Sequence, residues 1–547
     1  MGETPMPLKA TINPDMFPKM ARFAMTSANQ STKFQVEVPH SHRHRRFKEF
    51  SPIQAAASFP GPVRQQSPSI HPLERALLVI VAVHLVFLPW ALGTMHVWSQ
   101  CVSFGLSVVS LGLAVRPRDY TWEYTKETPF RLYPLPKLLR FPIFWLGLLL
   151  LLYILVQALN PAWEYVTNGS SWWLQGIPCV EWLPTGMRTP FAQASPWRSL
   201  MIYSSAWMTV CALWIGFTRR NTLRILLVVI AVNSALLALL GLAQRAMGAT
   251  EIMGFWKPSN SNFAATFINR NHGAAYLNLA LAVSAALAFW YYRRQLRRSE
   301  YSSPALVFGF FALLIALMVL YSYSRGGGFL MIGFLVVAVG LVGRRLLFST
   351  DQGQSPLVAT VLVLLVVAFV GQGLYTLKTD RIRDRLRDIA KDMAAGSDYP
   401  CWVTAGATWE MAQDQLIEGW GAGSYRFYFP VYQARFPDIL VDPDTHKRVL
   451  WEHAHDDYLE LLAEVGAIGC GILVFGALYY AIQMASLKVW RHAPATLLLM
   501  GCVVTALHAT VDFPFFCPAI LITWCALWPI LMKWAELELQ NSEGGRS

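Results

Sequence analysis

Charge is scarce in this chain of 547 residues: 14% are Asp, Glu, Lys or Arg, while 54% are hydrophobic. An ordinary soluble domain carries about 25% charged residues, so a soluble globular fold is excluded. Cysteine is scarce too, eight residues with no CxxC pair, which argues against a zinc knot or a redox dithiol. Cys101, Cys211, Cys470, Cys502 and Cys525 lie inside apolar segments, where a thiol acts as a small hydrophobe. Cys179 and Cys401 fall in connecting loops, where separate thiols are favoured over a disulfide. No segment repeats at a period of about 20 to 50 residues. The first 70 residues hold no apolar run long enough for a signal peptide. Residues 1–72, with the basic cluster HSHRHRRFKEF, read as a disordered cytoplasmic tail.

What the chain does have is apolar length. A spanning helix needs about 20 mostly apolar residues, and such segments recur at 76–95, 98–115, 141–160, 199–217, 223–243, 271–291, 304–323, 327–343, 356–375, 457–482, 494–512 and 516–532. The expectation is an all-α polytopic membrane protein of about twelve helices. Its net charge of +12 sits mostly in the tail and in short loops, a topology signal and no nucleic-acid footprint. RPRDY, TRRNTLR, RRQLRR, GRR and LKVWRH all fall on one side, which places that side and both termini in the cytoplasm. The chain then divides into the tail 1–72, helices one to nine over 73–375, a large outer loop over 376–455, helices ten to twelve over 456–533, and a cytoplasmic tail at 534–547. Within the loop, TDRIRDRLRDIAKDM alternates acids and bases at helical spacing and VTAGATWEMAQDQL is amphipathic, so two surface helices are expected.

Ionisable residues at membrane-helix ends face protein, water or substrate. At the outward ends stand Gln244, Arg245 and Lys257, the run Asn269, Arg270, Asn271, His272, the turn SRGGG, and His508 with Asp512. In the turn, Gly326 and Gly327 open a helix whose amides favour an anion, and Arg325 beside them can grip a phosphate; close helix packing is the alternative. Residues 451–466, WEHAHDDYLELLAEVG, set His453, His455, Asp456 and Asp457 against an apolar run. Asp457 and Glu460 have capping-box spacing, which leaves both imidazoles at the water boundary, able to titrate near neutral pH. HAHDD is similar to the HxHxDH signature of metallo-β-lactamase folds, but its last histidine is missing and a helix follows at once, so no metal is expected. Among the loop aromatics Trp420, Tyr425, Phe427 and Tyr428, packing onto the bilayer interface is favoured over stacking on sugars.

Taken in order, FINRNHGAAYLNLAL, YSYSRGGGFL, IEGWGAGSYRFYFPVY and HAHDDYLELLAEVGAIGCGIL resemble the O-antigen ligases and O-antigen polymerases of bacterial envelopes, over about residues 255–515. The resemblance implies a GT-C-like, twelve-helix inner-membrane glycosyltransferase with a periplasmic loop between helices nine and ten. It implies an undecaprenyl-pyrophosphate-linked glycan donor, a lipid A core or glycan acceptor, membrane lipids as surroundings, inversion at the anomeric carbon, and no cofactor. Carried onto this chain, His455 is the general base and Arg325 binds the pyrophosphate with Gly326, Gly327 and either Arg270 or Lys257. Asn271, His272, His453, Asp456 and Arg426 are supporting candidates; Asp456 replaces the family's usual asparagine. A transporter or lipid-glycan flippase is the rival class, but it would place charge at mid-bilayer, whereas these candidates cluster at one face.

Overall fold

The computed structural model describes residues 69–124, 129–169, 171–258, 263–298, 303–347, 371, 400–441 and 448–544. Residues 1–68 of the expected tail 1–72, the span at 356–375 apart from residue 371, and the surface helix at 379–393 lie outside them. In chain order the helices are α1 (Pro72–Trp90), α2 (Val97–Ala114), the short α3 (Pro134–Leu139), α4 (Pro142–Leu159), α5 (Pro196–Gly216), α6 (Arg220–Ala246), α7 (Arg270–Arg298), α8 (Ala305–Tyr321) and α9 (Arg325–Leu347). There follow α10 (Pro400–Asp414), α11 (Tyr425–Gln433), the short α12 (Pro437–Leu440), α13 (Asp457–Ser486), α14 (Ala493–His508) and α15 (Pro518–Gly544). Proline stands at the first position of α1, α4, α5 and α15, where its missing N–H has no helical partner to lose.

Among the described residues, nine helices are long and apolar enough to cross a membrane, and α8 and α14 are shorter apolar helices. The protein is therefore an all-α polytopic membrane protein, and these eleven helices coincide with eleven of the twelve expected spans. Helix α7 is central, with 78% of its apolar window buried inside the protein. Its run of Ala274, Ala275, Ala280 and Ala282 allows α8 and α14 to approach closely.

Two small sheets were not expected. Strands β1 (Arg118–Tyr120) and β2 (Phe130–Leu132) pair antiparallel at one end of the bundle. At the other end β3 (Pro161–Thr167), β4 (Trp172–Gly176) and β5 (Gly186–Arg188) form a sheet in the order β4-β3-β5, antiparallel then parallel. The β3–β4 turn follows from Asn168-Gly169: the Asn168 side chain accepts from the Ser171 amide at 2.8 Å, and Gly169 takes φ +88°. An open sheet edge has no place in hydrocarbon, so this connection lies outside the membrane.

That end also carries the loop helices. Amphipathic α10 forms as expected and buries Val403, Ala407 and Met411. Helix α13 is broken at Gly466 (φ 62°, ψ −173°), and the segment ending in Gly419 runs backbone to backbone against the break. Trp420 and Gly421 amides donate to the carbonyls of Ala463 and Glu464, while Ala467 donates to Leu416. A Cβ on Gly419 would lie 2.3 Å from the Glu464 carbonyl oxygen, and one on Gly466 2.3 Å from that of Ile417. Gln157 of α4 stitches the junction, donating to the Glu418 carbonyl and accepting from the Ala422 amide. At Gly419 and Gly466 glycine alone permits this contact and this φ.

Candidate active site

The break and the α13 N-terminus fix the HAHDD segment. Asp456 is the helix cap, its carboxylate accepting from the amides of Tyr458 (3.0 Å) and Leu459 (3.1 Å). The expected box of Asp457 with Glu460 does not form. Asp457 accepts instead from the Phe515 amide (2.9 Å), and Glu460 turns back to the Ala454 amide (2.7 Å) and His453 Nδ1 (2.9 Å). Both carboxyl groups are buried and help to hold the loop.

The two histidines consequently differ. His453 is packed on the rings of Phe513 (4.3 Å) and Phe516 (4.5 Å). Burial pushes its pKa down to about 4, Glu464 and Glu452 opposing, so it is neutral at neutral pH and does not titrate there as expected. His455 takes φ +58°, a left-handed conformation unusual for a side-chain-bearing residue. Its ring turns toward Asp512, Nδ1 lying 3.4 Å from Oδ1, with 38% of the side chain exposed. The edges of Trp451 and Phe513 hold it from two sides. With Nδ1 committed to a carboxylate, Nε2 is the nitrogen left for another group.

Asp512 is buried, and burial would raise its pKa; the hydrogen bond from His455 and the nearby imidazoles of His272 and His508 outweigh that and lower it, so it is a carboxylate at neutral pH. His508 Nε2 is 3.9 Å from its other oxygen, so the expected His508–Asp512 pair exists, but Asp512 lies closer to His455. His272 meets Phe513 edge-on at 4.9 Å, which gives that phenyl ring three imidazole neighbours.

The SRGGG turn joins the group through His508: a Cβ on Gly326 would lie 3.3 Å from His508 Nε2. Arg325 is exposed at the first position of α9. Gly327 does not offer its amide to an anion as expected. That amide donates to Ser324 Oγ (3.2 Å), its carbonyl accepts from Asn278 (2.9 Å), and a Cβ there would lie 2.5 Å from that of Ala274. Gly327 thus serves close packing of α9 on α7. Arg270 opens α7 half-buried, behind Asn269, whose side chain accepts from the Asn271 amide. Arg245 brings a third guanidinium, 5.4 Å above the ring of Tyr323, just before the turn. Lys257 is exposed in the loop after α6, beside Trp256, which packs on His96; no contact among the described residues joins it to His455.

Next to His453 lies a cavity of about 330 Å³ whose polar walls include Arg198, Arg426, Glu452, Glu460 and Glu464. Arg198 is held by Gln100 (2.8 Å) and by the carbonyls of Met95 (2.7 Å) and Ala192 (3.1 Å), and Arg426 pairs with Glu452 at 3.4 Å. The loop aromatics are not bilayer anchors: Tyr425, Phe427 and Tyr428 are buried in the loop's own core. Sequence reasoning did not single out Arg198 or Glu464; an arginine at the outward end of the fourth span, and a glutamate two residues before the glycine of LAEVG, were the available signals.

Residues 310–474 match the family model described as O-antigen ligase. That stretch, 165 of the 547 residues, is similar to the O-antigen ligase family. The matched segment contains the SRGGG turn, the Gly419–Gly466 junction and His455, and stops short of Asp512. No curated protein matches the chain.

Proposed function

We propose that this protein is an O-antigen ligase-type glycosyltransferase. It moves a glycan from undecaprenyl pyrophosphate to a hydroxyl of a lipid A core or similar acceptor, at the periplasmic face of the inner membrane. The observation that carries the reading is His455, held by Asp512 and joined through His508 to the SRGGG turn.

The acceptor oxygen attacks the anomeric carbon, and His455 Nε2 takes its proton. The bond from that carbon to the pyrophosphate breaks, and undecaprenyl pyrophosphate leaves with the electron pair, inverting the anomeric centre. Asp512 holds the imidazole orientation and stabilises the imidazolium that forms, work typical of a buried carboxylate behind a histidine. Arg325, with Arg270 and Arg245 near the same turn, stabilises the charge gathering on the pyrophosphate. Guanidiniums standing where that charge develops make the step metal-independent. The cavity beside His453 receives the donor sugars next to the reacting bond.

The test is transfer by the purified chain in lipid nanodiscs, from an undecaprenyl-pyrophosphate glycan to lipid A core or to a second carrier-linked unit. Replacing His455 by Ala is expected to lower kcat by roughly 10²- to 10⁴-fold. The acceptor used separates ligase from polymerase. Transfer undiminished in His455→Ala would remove the base assignment, and movement of the carrier-linked glycan across the bilayer without transfer would make the protein a flippase.

A further inference from the structure

Helix α11 lines two cavities. Tyr425 and Arg426 wall the one beside His453. Phe427 and Tyr432 wall a larger one, about 750 Å³, closed on its other side by Trp163 and Trp172 of the β3–β4 hairpin and bordered by Trp420 and Arg448. The rings are fixed in place. Trp420 donates its indole N–H to the Met411 carbonyl (2.8 Å), Tyr432 donates to Asp414 (2.6 Å), and Trp172 meets Phe427 edge-on at 6.3 Å. Trp163 and Trp172 nevertheless stay 37% and 38% exposed, so ring surface is available to a ligand.

We infer that this groove is a glycan-binding subsite that holds sugar units remote from the reacting bond. A pyranose ring has an apolar C–H face and a rim of hydroxyls. Fixed aromatic faces beside an exposed guanidinium, with its five N–H donors, match both halves. A membrane anchor would present its aromatics on a convex belt; this surface is concave, and the open-edged sheet that forms one wall is excluded from hydrocarbon. From Arg426 to Tyr432 the helix advances about 9 Å, so a chain of sugars leaving the His453 cavity along α11 reaches the groove. The choice of ligand rests on the glycosyltransferase reading.

The full chain in nanodiscs, with the Trp163→Ala/Trp172→Ala double variant, is assayed with carrier-linked donors bearing one repeat unit or several. The preference in KM for the longer donor is expected to fall about tenfold with both rings removed, and Trp172→Tyr, which keeps a ring, is expected to retain most of it. A KM ratio unchanged in the double variant would overturn the subsite. So would quenching of Trp163 and Trp172 fluorescence by brominated lipids, which would place the rings in the bilayer interface. If the parent transfers nothing, calorimetry with the multi-repeat glycan released by mild acid still decides. Binding weakened tenfold in the double variant upholds the groove while the transferase reading falls, and absence of binding to the parent removes the groove itself.

Discussion

His455 is held in a backbone conformation that costs an L-residue on the order of 1–2 kcal/mol, and the gain is an imidazole aimed at a buried carboxylate. Asp512→Asn leaves the shape and removes the charge, so kcat is expected to drop by at least tenfold while the KM for donor changes little; a kinetic comparison at fixed acceptor checks this. His453 titrates differently. Its pKa, lowered to about 4 from the ordinary 6.5, means the unfolded chain takes up a proton before the folded one does. Its contribution to stability is full above about pH 6.5 and is lost as pH falls toward 4. Thermal unfolding across that window is expected to show the loss, with a flatter slope in His453→Gln, which keeps a donor for Glu460. His455 was readable because it lies in a compact motif. Its partner was not, since Asp512 stands 57 residues further on and reaches it only because the turn after α14 is tied to the start of α13, where the Asp457 amide donates to the Ala509 carbonyl and its carboxyl accepts from the Phe515 amide.

At the scale of elements, hydrophobic length alone located the spans, because lipid demands it of any helix. The β3–β4 hairpin escaped the same reading: a window of about 20 residues averages its alternating Trp and polar residues away, though Asn168-Gly169 is a hairpin signal in its own right. Gly327 was assigned to an anion from its place at a helix start, where only the coordinates show Ser324 already occupying the amide. The break in α13 makes a sharper expectation. Gly466→Ala puts a side chain into a glycine-only region of backbone space and against the Ile417 carbonyl, a cost of about 1–3 kcal/mol from strain alone. The variant is expected to unfold at lower temperature and to lose transfer, whereas Gly471→Ala, five positions further on at a half-buried site where a Cβ would meet nothing within 4 Å, is expected to do neither.

Over the whole molecule, the two ends of the bundle are built from different materials. The end opposite the site is locked by Glu74, which accepts from Tyr120 (2.7 Å) and Thr222 (2.8 Å), by Arg118 on the Gly216 carbonyl, and by Lys533 on the Phe217 carbonyl. These bonds tie α1, α5, α6 and α15 together and leave the site end to the loops. The orientation expected from the basic loops, which we propose for this chain, puts the locked end in the cytoplasm. In intact cells with a permeabilised outer membrane, an impermeant maleimide is expected to label Trp182→Cys and to spare Trp490→Cys; the reverse pattern would invert the topology.

The backbone contact between Gly419 and Gly466 also sets a rule for length. Between His453 and the break, each added residue would turn the helix start by about 100° and lift it 1.5 Å, carrying the imidazole off its carboxylate. Beyond Ile468, where the last of these backbone bonds falls, the helix is an apolar rod free of that constraint. Natural insertions and deletions among related chains are therefore expected to gather outside this interval, with the count of residues inside it held constant.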